Sequence, residues 1–236
     1  MRLLVCSTFL FALSFSLFCS ENWPRFRGNN GDGYADFNIP SEWKESTYRW
    51  SLPLEEAGHG SPTVWENSVF LNSSTDKGKT RKVIAVDAKS GKLKWQRSYR
   101  SKTHKTHRFN SFASSTPALD KNSVYSVWGH STELLVTAHS HNGKLLWERD
   151  LGGVSGGHGF AVSPIVFEDL LIVPNDQEKG GGAHYGLDCK TGEIKWKVPR
   201  ASKRLTYSTP CIFTSPLGKP ELIFTNWWLG FTSLEP

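Results

Sequence analysis

One ten-residue phrase occurs three times in the chain, and it limits the folds that the chain can adopt. Residues 187–196 read Leu-Asp-Cys-Lys-Thr-Gly-Glu-Ile-Lys-Trp, residues 86–95 read Val-Asp-Ala-Lys-Ser-Gly-Lys-Leu-Lys-Trp, and residues 138–147 form a looser copy. The three glycines, Gly91, Gly143 and Gly192, are 52 and 49 residues apart. A glycine turn between two apolar segments predicts a β-hairpin. A repeat of about 50 residues indicates a propeller or a solenoid.

A second phrase recurs between the hairpins in a fixed order. Serine and proline stand just before a short apolar segment, with prolines at 62, 117, 164 and 210. A polar turn and a second apolar segment follow each time, at 69–71, 124–127 and 170–173. Each repeat therefore contains four strands, of which the third leads into the glycine turn and the fourth carries a tryptophan. Four-stranded units at this period are typical of propeller blades.

The first twenty residues differ from the rest and predict a targeting segment. Arg2 precedes an apolar run of 16 residues, 3–18, which is short for a membrane span and typical of a secretory signal. An uncleaved anchor and a lipoprotein modified at Cys19 remain alternatives. We expect a signal peptide at 1–20, an N-terminal arm at 21–48 and propeller repeats at 49–236. The expected location is secreted or periplasmic, without a membrane span after cleavage.

Charge and cysteine content restrict the classes of partner and site. The formal net charge of +6 is spread along the 236 residues, so it does not predict a nucleic-acid partner. The basic stretch 97–108 is interpreted as a solvated link between blades, with a polyanion-binding patch as the alternative. Cys189 and Cys211 fall in different repeats, too far apart for a disulfide, and no metal-binding spacing is present.

The glycine–tryptophan phrase resembles a known motif. Asp188, Thr191, Gly192 and Trp196 have the spacing of the tryptophan-docking motif of the pyrroloquinoline-quinone-like (PQQ-like) repeat family. Residues 23–28, Trp-Pro-Arg-Phe-Arg-Gly, are similar to the start of secreted bacterial members. The resemblance covers roughly residues 22–236, and the copy at His139 departs from it because histidine replaces the aspartate. It implies that tryptophans dock between neighbouring blades, namely Trp50, Trp95, Trp147 and Trp196.

The resemblance implies two functional classes, because the family contains quinoprotein dehydrogenases and non-catalytic scaffolds. Its dehydrogenases are similar in having an adjacent cysteine pair, a calcium site of acidic and amide ligands, and a catalytic aspartate. This sequence has no adjacent cysteine pair, and we could place no calcium site in it. We therefore predict a non-catalytic binding or scaffold module for a protein or polymer, without catalytic residues, metal or cofactor. The alternative is a quinoprotein dehydrogenase, or a piece of one, that holds PQQ with calcium.

Strand parity predicts where a ligand would bind. The start of each Ser-x-Pro strand and the loop after each second strand lie at the same end of a blade. Polar residues near the innermost strands there are candidate ligand-binding residues: His59, Asn110, His158, Asp176 and Tyr207. His59 and Asp176 form a candidate acid–base pair, whereas the structural alternative is that such groups satisfy strand-end backbone atoms.

A third functional class, a sugar-binding module, would use paired exposed tryptophans. Trp227 and Trp228 are the candidate pair, although one ring of two adjacent strand residues is expected to point into the blade.

The strand count predicts about 3.5–4 blades in an all-β propeller. The strand at Trp50 and the strands from Tyr207 to Glu235 are parts of a blade that is split between the two ends of the sequence. Either these ends pair and close a four-bladed ring, or the chain is an open arc of a larger, seven- or eight-bladed propeller. We expect the open arc, with a last blade that is incomplete at the C-terminus and the remainder of the propeller missing from this chain.

Overall fold

The structure is a computed structural model that describes residues 22–29, 31–36, 39–55, 58–216 and 218–236. The predicted signal peptide lies outside the described residues. Two three-residue 3-10 helices are present, Glu45–Thr47 and Asp76–Gly78. No helix in the described ranges is long and apolar enough to cross a membrane.

Fifteen strands form four antiparallel sheets among the described residues, and each sheet follows the chain order of its strands. The first blade contains β1 (Thr63–Trp65), β2 (Ser68–Thr75), β3 (Thr80–Asp87) and β4 (Leu93–Arg100). The second contains β5 (Ala118–Leu119), β6 (Ser123–His130), β7 (Glu133–Ser140) and β8 (Leu145–Asp150). The third contains β9 (Ile165–Phe167), β10 (Leu170–Asn175), β11 (Gly182–Asp188) and β12 (Ile194–Arg200). The fourth contains β13 (Cys211–Thr214), β14 (Pro220–Asn226) and β15 (Gly230–Leu234).

The antiparallel order gives the blades two distinct ends. The turns between first and second strands and the glycine turns between third and fourth strands lie at one end, which we call the turn end. The links between blades and the connections between second and third strands lie at the other, which we call the loop end. The predicted apolar segments at 69–71, 124–127 and 170–173 fall within β2, β6 and β10, so the strand pattern is confirmed.

The glycine turns have the same backbone geometry in the three complete blades. Gly91, Gly143 and Gly192 have φ angles of +68°, +85° and +69°, a region that side chains with a Cβ atom rarely occupy. Each strand pair also shows a register shift just before this turn, after Ala85, Ala138 and Gly186. The extra residue lies in the fourth strand, one position before its tryptophan, and it bends that strand where it leaves the turn.

Each glycine turn is covered by a tryptophan from an earlier part of the chain: Trp95 and Trp147 belong to the preceding blade, and Trp50 to the segment before the first blade. A Cβ atom built on Gly91 would lie 2.4 Å from the Trp50 ring, and Gly143 and Gly192 have the same relation to Trp95 and Trp147. The three indole N–H groups donate to turn carbonyls at 3.0, 2.8 and 2.9 Å, those of Ala88, His141 and Cys189.

The fourth strands of the complete blades expose most of their residues. In β4 the side chain of Trp95 is buried while most others are exposed, and β8 shows the same pattern around Trp147. Trp50 and Trp196 are half-buried, whereas docking rings of this size are expected to be largely buried. Trp196 lies on the last four-stranded sheet, where no glycine turn among the described residues covers it.

The hydrophobic core lies between blades. One buried cluster joins Phe70 and Val83 of the first blade to Val124 and Trp128 of the second. Further clusters join the second blade to the third, and the third to the fourth, where Ile172 packs with residues such as Phe224. Each blade therefore depends on its neighbours for burial of apolar surface, as expected for a repeat architecture.

The N-terminal arm adds a short segment at the inner edge of the first two blades. Trp23 and Val64 exchange two backbone hydrogen bonds of 2.8 and 2.9 Å, and the Leu119 N–H donates to the Pro24 carbonyl at 2.7 Å. These contacts place the arm against both β1 and β5. Cys189 is buried, Cys211 is exposed and both are free thiols, so the expectation of unpaired cysteines is confirmed.

The ring is not closed by the two ends of the sequence. Residues 49–53 form no strand, and β15 pairs with β14 alone within the described ranges. The prediction of a strand at Trp50 is wrong, because a β-strand needs a hydrogen-bonded neighbour and this segment has none in the described part of the chain. The all-β propeller arc is confirmed, and the closed four-bladed ring is not.

Candidate ligand-binding end of the blades

Four of the five predicted ligand-binding residues line one cavity at the loop end. This cavity has a volume of about 360 Å³ and is bordered by His59, Asn110, His158 and Tyr207. These residues come from the start of the first blade and from the three links that follow. Strand parity therefore brings the predicted residues together, while their role in ligand binding stays a prediction.

The cavity wall is held by hydrogen bonds between two links. The Asn110 side-chain amide donates to the His158 carbonyl at 2.7 Å, and the His107 backbone N–H donates to the same oxygen at 3.2 Å. The rings of His107 and His158 meet edge to face at 5.0 Å. Asn110 also accepts from the backbone N–H of Ser111 at 2.8 Å. Asn110 thus positions the wall, in line with the structural alternative for this residue.

Tyr207 offers a different kind of group to the cavity. Its side chain is 45% exposed, and no hydrogen bond from the described residues reaches its hydroxyl. Partial burial, with Glu178 nearby, raises the pKa of Tyr207 to about 12. The hydroxyl is therefore neutral at physiological pH and can act as a hydrogen-bond donor to a ligand.

Asp176 does not join the cavity, which corrects its predicted place beside His59. Its Oδ1 accepts from Arg200 Nε at 3.0 Å, and its Oδ2 accepts from the Asn226 amide at 2.9 Å. The side chains of Asp176 and Arg200 are 1% and 7% exposed. The carboxylate faces the boundary between the third and fourth blades, where a buried cation and an amide neutralise and orient it. His59 and Asp176 are therefore not an acid–base pair.

The cavity has further residues that the sequence did not single out for it. Phe26 of the arm, and His107 and Phe109 of the first link, also line the cavity. His107 was noted only as part of the basic stretch 97–108. The 17-residue link 101–117, long for a connection between neighbouring blades, was the available signal.

The four segments that lead into the innermost strands carry basic residues and no Asp or Glu. These segments are residues 58–64, 101–117, 151–165 and 201–210, and they contain five basic residues: Lys102, Lys105, Arg108, Lys203 and Arg204. A carboxylate comes from the connection between β10 and β11, where Glu178 lies near Tyr207 and accepts from the Gly157 N–H at 3.2 Å. The links between blades therefore add basic charge to the loop end beyond the 97–108 stretch.

Exposed aromatic rings lie beside these cations. The guanidinium of Arg108 lies 4.5 Å from the Phe109 ring centre, and that of Arg204 lies 5.3 Å from the Trp227 ring centre. Trp227 and Trp228 are 77% and 49% exposed. The expectation that one of these two rings points into the blade is wrong, because both residues lie in the turn between β14 and β15 instead of on a strand.

The cavity donors do not suit the calcium-bound quinone of the dehydrogenase alternative. Calcium takes oxygen ligands that are mainly carboxylates and carbonyls, whereas the polar side chains here are imidazoles, hydroxyls and one amide. In the described part of the chain no group of three His, Cys, Asp or Glu side chains is arranged to hold a metal ion. Cys189 is buried at the turn end, on a different blade from Cys211.

Comparison with known sequences shows the family. The chain matches the family described as outer membrane protein assembly factor BamB over residues 42–125 and 83–212. Together these two matches cover more than half of the chain. It belongs to the PQQ-like β-propeller repeat family. The comparison with curated protein sequences found no match.

Solved structures of PQQ-like propellers resemble the chain in fold. The quinohemoprotein alcohol dehydrogenase from Comamonas testosteroni has a TM-score of 0.55 and 21% identity, over 75% of this chain and 27% of that chain. BamB from Moraxella catarrhalis has a TM-score of 0.48 and 20% identity, over 79% of this chain and 53% of that chain. A europium-containing methanol dehydrogenase has a TM-score of 0.48 and 19% identity, over 66% and 27%. The chain spans about a quarter to a half of these structures.

Proposed function

We propose that this chain is a non-catalytic binding module that holds a protein or polymer partner at the loop end of its blades. The observation that carries the proposal is the collection, at one end, of a cavity, exposed aromatic rings and five basic residues from the links between blades. Loops held on a rigid β scaffold are the usual place for binding residues. The family description as an assembly factor supports a binding role over a catalytic one.

The turn end has a structural role in this proposal. Trp50, Trp95 and Trp147 act as docking residues that join each blade to the next through a ring on glycine and an indole hydrogen bond. Trp196 would make the same ring and hydrogen-bond contacts with a glycine turn of a following blade. These contacts lie at the turn end, whereas the cavity of the proposed site lies at the loop end.

We further propose that the chain works outside the cytoplasm, in the periplasm or after secretion, and without a quinone. The motive for the location is the apolar run that follows Arg2, and the motive for the second part is the cavity chemistry described above. Titration of the purified chain with PQQ and calcium, followed by absorbance, tests the latter. Stoichiometric binding, or dye-linked alcohol oxidation, would overturn the non-catalytic proposal.

Site-specific photo-cross-linking tests the binding role. A photoreactive amino acid replaces Phe109 or Tyr207 at the loop end, and Lys89 or Lys190 at the turn end, in cells that produce the protein. All four side chains are exposed, so the four variants differ mainly in location. We expect adducts of defined size from the loop-end variants and none from the turn-end variants. Equal cross-linking at both ends, or none at the loop end, would contradict the proposal.

A further inference from the structure

We infer that the loop end of the fourth blade binds an acidic polysaccharide, in which each sugar ring carries a carboxylate. The site is built by Trp227, Trp228, Lys203 and Arg204, and it continues through Tyr207 to the cavity. This inference rests on the proposed binding function and names the chemical class of the partner.

The two tryptophans are held in an exposed position by a buried network. The Asn226 side-chain oxygen accepts from the backbone N–H groups of Trp228 and Leu229 at 2.7 and 3.1 Å. The amide of Asn226 donates to Asp176 at 2.9 Å, and Asn226 is 5% exposed. The turn is therefore fixed to the core of the blade boundary. A fixed turn displays two large apolar rings to solvent without the entropy cost of ordering them on binding.

Each ring is accompanied by one cation. Arg204 lies 5.3 Å from the ring centre of Trp227, and Lys203 lies 5.2 Å from that of Trp228. The two ring centres are 6.4 Å apart and the planes are inclined by 50°. Trp227 is 77% exposed even with the guanidinium beside it. The surface thus repeats a unit of one open aromatic face and one positive charge.

That unit matches the chemistry of a uronate residue. The C–H face of a pyranose ring packs on an aromatic face and removes apolar surface from water. Its carboxylate pairs with an ammonium or guanidinium group. A polymer with one carboxylate for each ring is complementary to a surface with one cation for each ring. Residues 201–210 and 101–117 contain no Asp or Glu, so these two segments do not repel such a polymer, whereas Glu178 near Tyr207 does.

The surface continues across the cavity. Residues 201–210 carry both cations and also Tyr207, which borders the cavity. Phe109, which also lines the cavity, is 72% exposed and has Arg108 over its ring at 4.5 Å. An extended polymer that starts on the tryptophan pair and follows residues 201–210 would therefore meet a further aromatic–cation pair at the cavity.

Binding of defined polymers to the full chain tests the inference. Polygalacturonate is the probe, and the same polymer with its carboxylates methyl-esterified is the matched neutral control. Polyglutamate and single-stranded oligothymidylate provide anions without sugar-acid rings. Affinity is measured by titration calorimetry and tryptophan fluorescence at low and high salt, with light scattering to follow the oligomeric state.

We expect polygalacturonate to bind, and the esterified polymer to bind at least about tenfold more weakly. Trp227→Ala should weaken binding by about tenfold, since it removes the more exposed of the two aromatic faces on which a sugar ring would pack. The double variant Lys203→Gln/Arg204→Gln should weaken it and reduce its salt dependence. Trp43→Ala is the matched control, because Trp43 lies in the arm and is 60% exposed. It should leave the affinity unchanged.

Several outcomes would overturn the inference. These are no binding of polygalacturonate at low salt, equal loss of affinity in Trp43→Ala and Trp227→Ala, or equal binding of the esterified polymer. Equal or tighter binding of polyglutamate would assign the surface to acidic peptides. Equal or tighter binding of oligothymidylate would assign it to nucleic acid. Self-association that Trp227→Ala abolishes would assign it to a second copy of the chain. Loop-end cross-links to a protein partner, without polysaccharide binding, would retain the proposed function and reject this inference alone.

Discussion

The turn end and the loop end of the blades are made by the same strands, but their residues repeat to very different degrees. At the turn end, three glycines with φ between +68° and +85° are each covered by a tryptophan that donates a hydrogen bond of 2.8–3.0 Å. At the loop end, the three links contain 17, 14 and 10 residues (101–117, 151–164 and 201–210) and share no phrase beyond their Ser-x-Pro ending. Contacts between blades constrain the repeated residues, and the variable links are available for binding.

Replacement of a tryptophan by alanine should show the largest difference in stability effect between the turn end and the loop end. Trp147→Ala should lower the free energy of unfolding by about 3–5 kcal/mol, because it removes a buried ring and leaves a cavity between two blades. Trp227→Ala, at the loop end, should change it by less than about 0.5 kcal/mol. Urea unfolding followed by circular dichroism measures both. Similar midpoints for the two variants would show that the turn-end contacts are not the main ties between blades.

Replacement of Asp176 tests whether every residue at the loop end can be changed without loss of stability. Asp176→Asn should lower the free energy of unfolding by about 3 kcal/mol, since it leaves the buried Arg200 guanidinium without a counter-charge. Glu42→Gln, on the exposed arm, is the control for loss of one carboxylate. Thermal unfolding of both variants at neutral pH gives the comparison. If Asp176→Asn leaves the free energy of unfolding unchanged, the Asp176 carboxylate does not stabilise the blade boundary.

Buried histidines should make stability depend on pH. Burial, with Arg97 nearby, lowers the pKa of His139 to about 4, and burial with Arg200 nearby lowers that of His184 to about 3. Between the ordinary histidine pKa of about 6.5 and these values, the unfolded chain binds protons that the folded chain does not. The free energy of unfolding is therefore unaffected by these two histidines above about pH 6.5, and it decreases as the pH falls below that value.

By pH 5 the loss should reach about 2 kcal/mol for each of these two histidines. His184→Phe should flatten the profile while keeping the ring stacked on Phe224, whose centre lies 4.1 Å away. Phe109→Leu, at a loop-end residue that is 72% exposed, should leave the profile unchanged. Urea midpoints measured from pH 7 to pH 4 provide the test, and parallel profiles for all three proteins would contradict it.

The smallest effect should come from the side chains that brace the glycine turns. Asp188 Oδ1 accepts from the backbone N–H groups of Lys190 and Thr191 at 3.0 and 2.9 Å. Asp188→Ala should cost about 1 kcal/mol, the net value of a hydrogen bond in an open turn. Asn142→Ala should cost less, because Ser140 braces that turn through its hydroxyl. Chemical denaturation of both variants ranks the two copies, and the opposite order would reject this account.

The sequence predicted the turn end well because the same residues recur in three repeats. The strand order, the glycine turns and the tryptophan positions all follow from spacing. Trp50 was placed on a strand from the same spacing, but pairing depends on a neighbour that spacing does not reveal. His139 replaces the turn aspartate because it is buried and shares a 2.6 Å hydrogen bond with Tyr99, which a local pattern does not reveal.

The loop end could be predicted only in part. Parity located His59, Asn110, His158 and Tyr207 near one another, since each adjoins a strand whose direction was known. Phe109 lies inside a 17-residue link without repeat or period, and its place depends on tertiary contacts. Asp176 was misplaced because its partner Arg200 is 24 residues away, on the last strand of the same blade.

The N-terminal arm determines where a pulling force would enter the blades. Trp23 bonds to Val64 and Pro24 to Leu119, so tension applied on the N-terminal side of Trp23 reaches the first two blades at once. A polymer drawn along the fourth blade would pull from the other end of the arc. Because the arm already bonds to the second blade, the force between these two points would cross two boundaries in series: that between the second and third blades, with the Trp147 contact, and that between the third and fourth, with the Asp176–Asn226 hydrogen bond. The weaker boundary would set the tension at which the arc yields, and single-molecule pulling on the Trp147→Phe and Asp176→Asn variants would identify it.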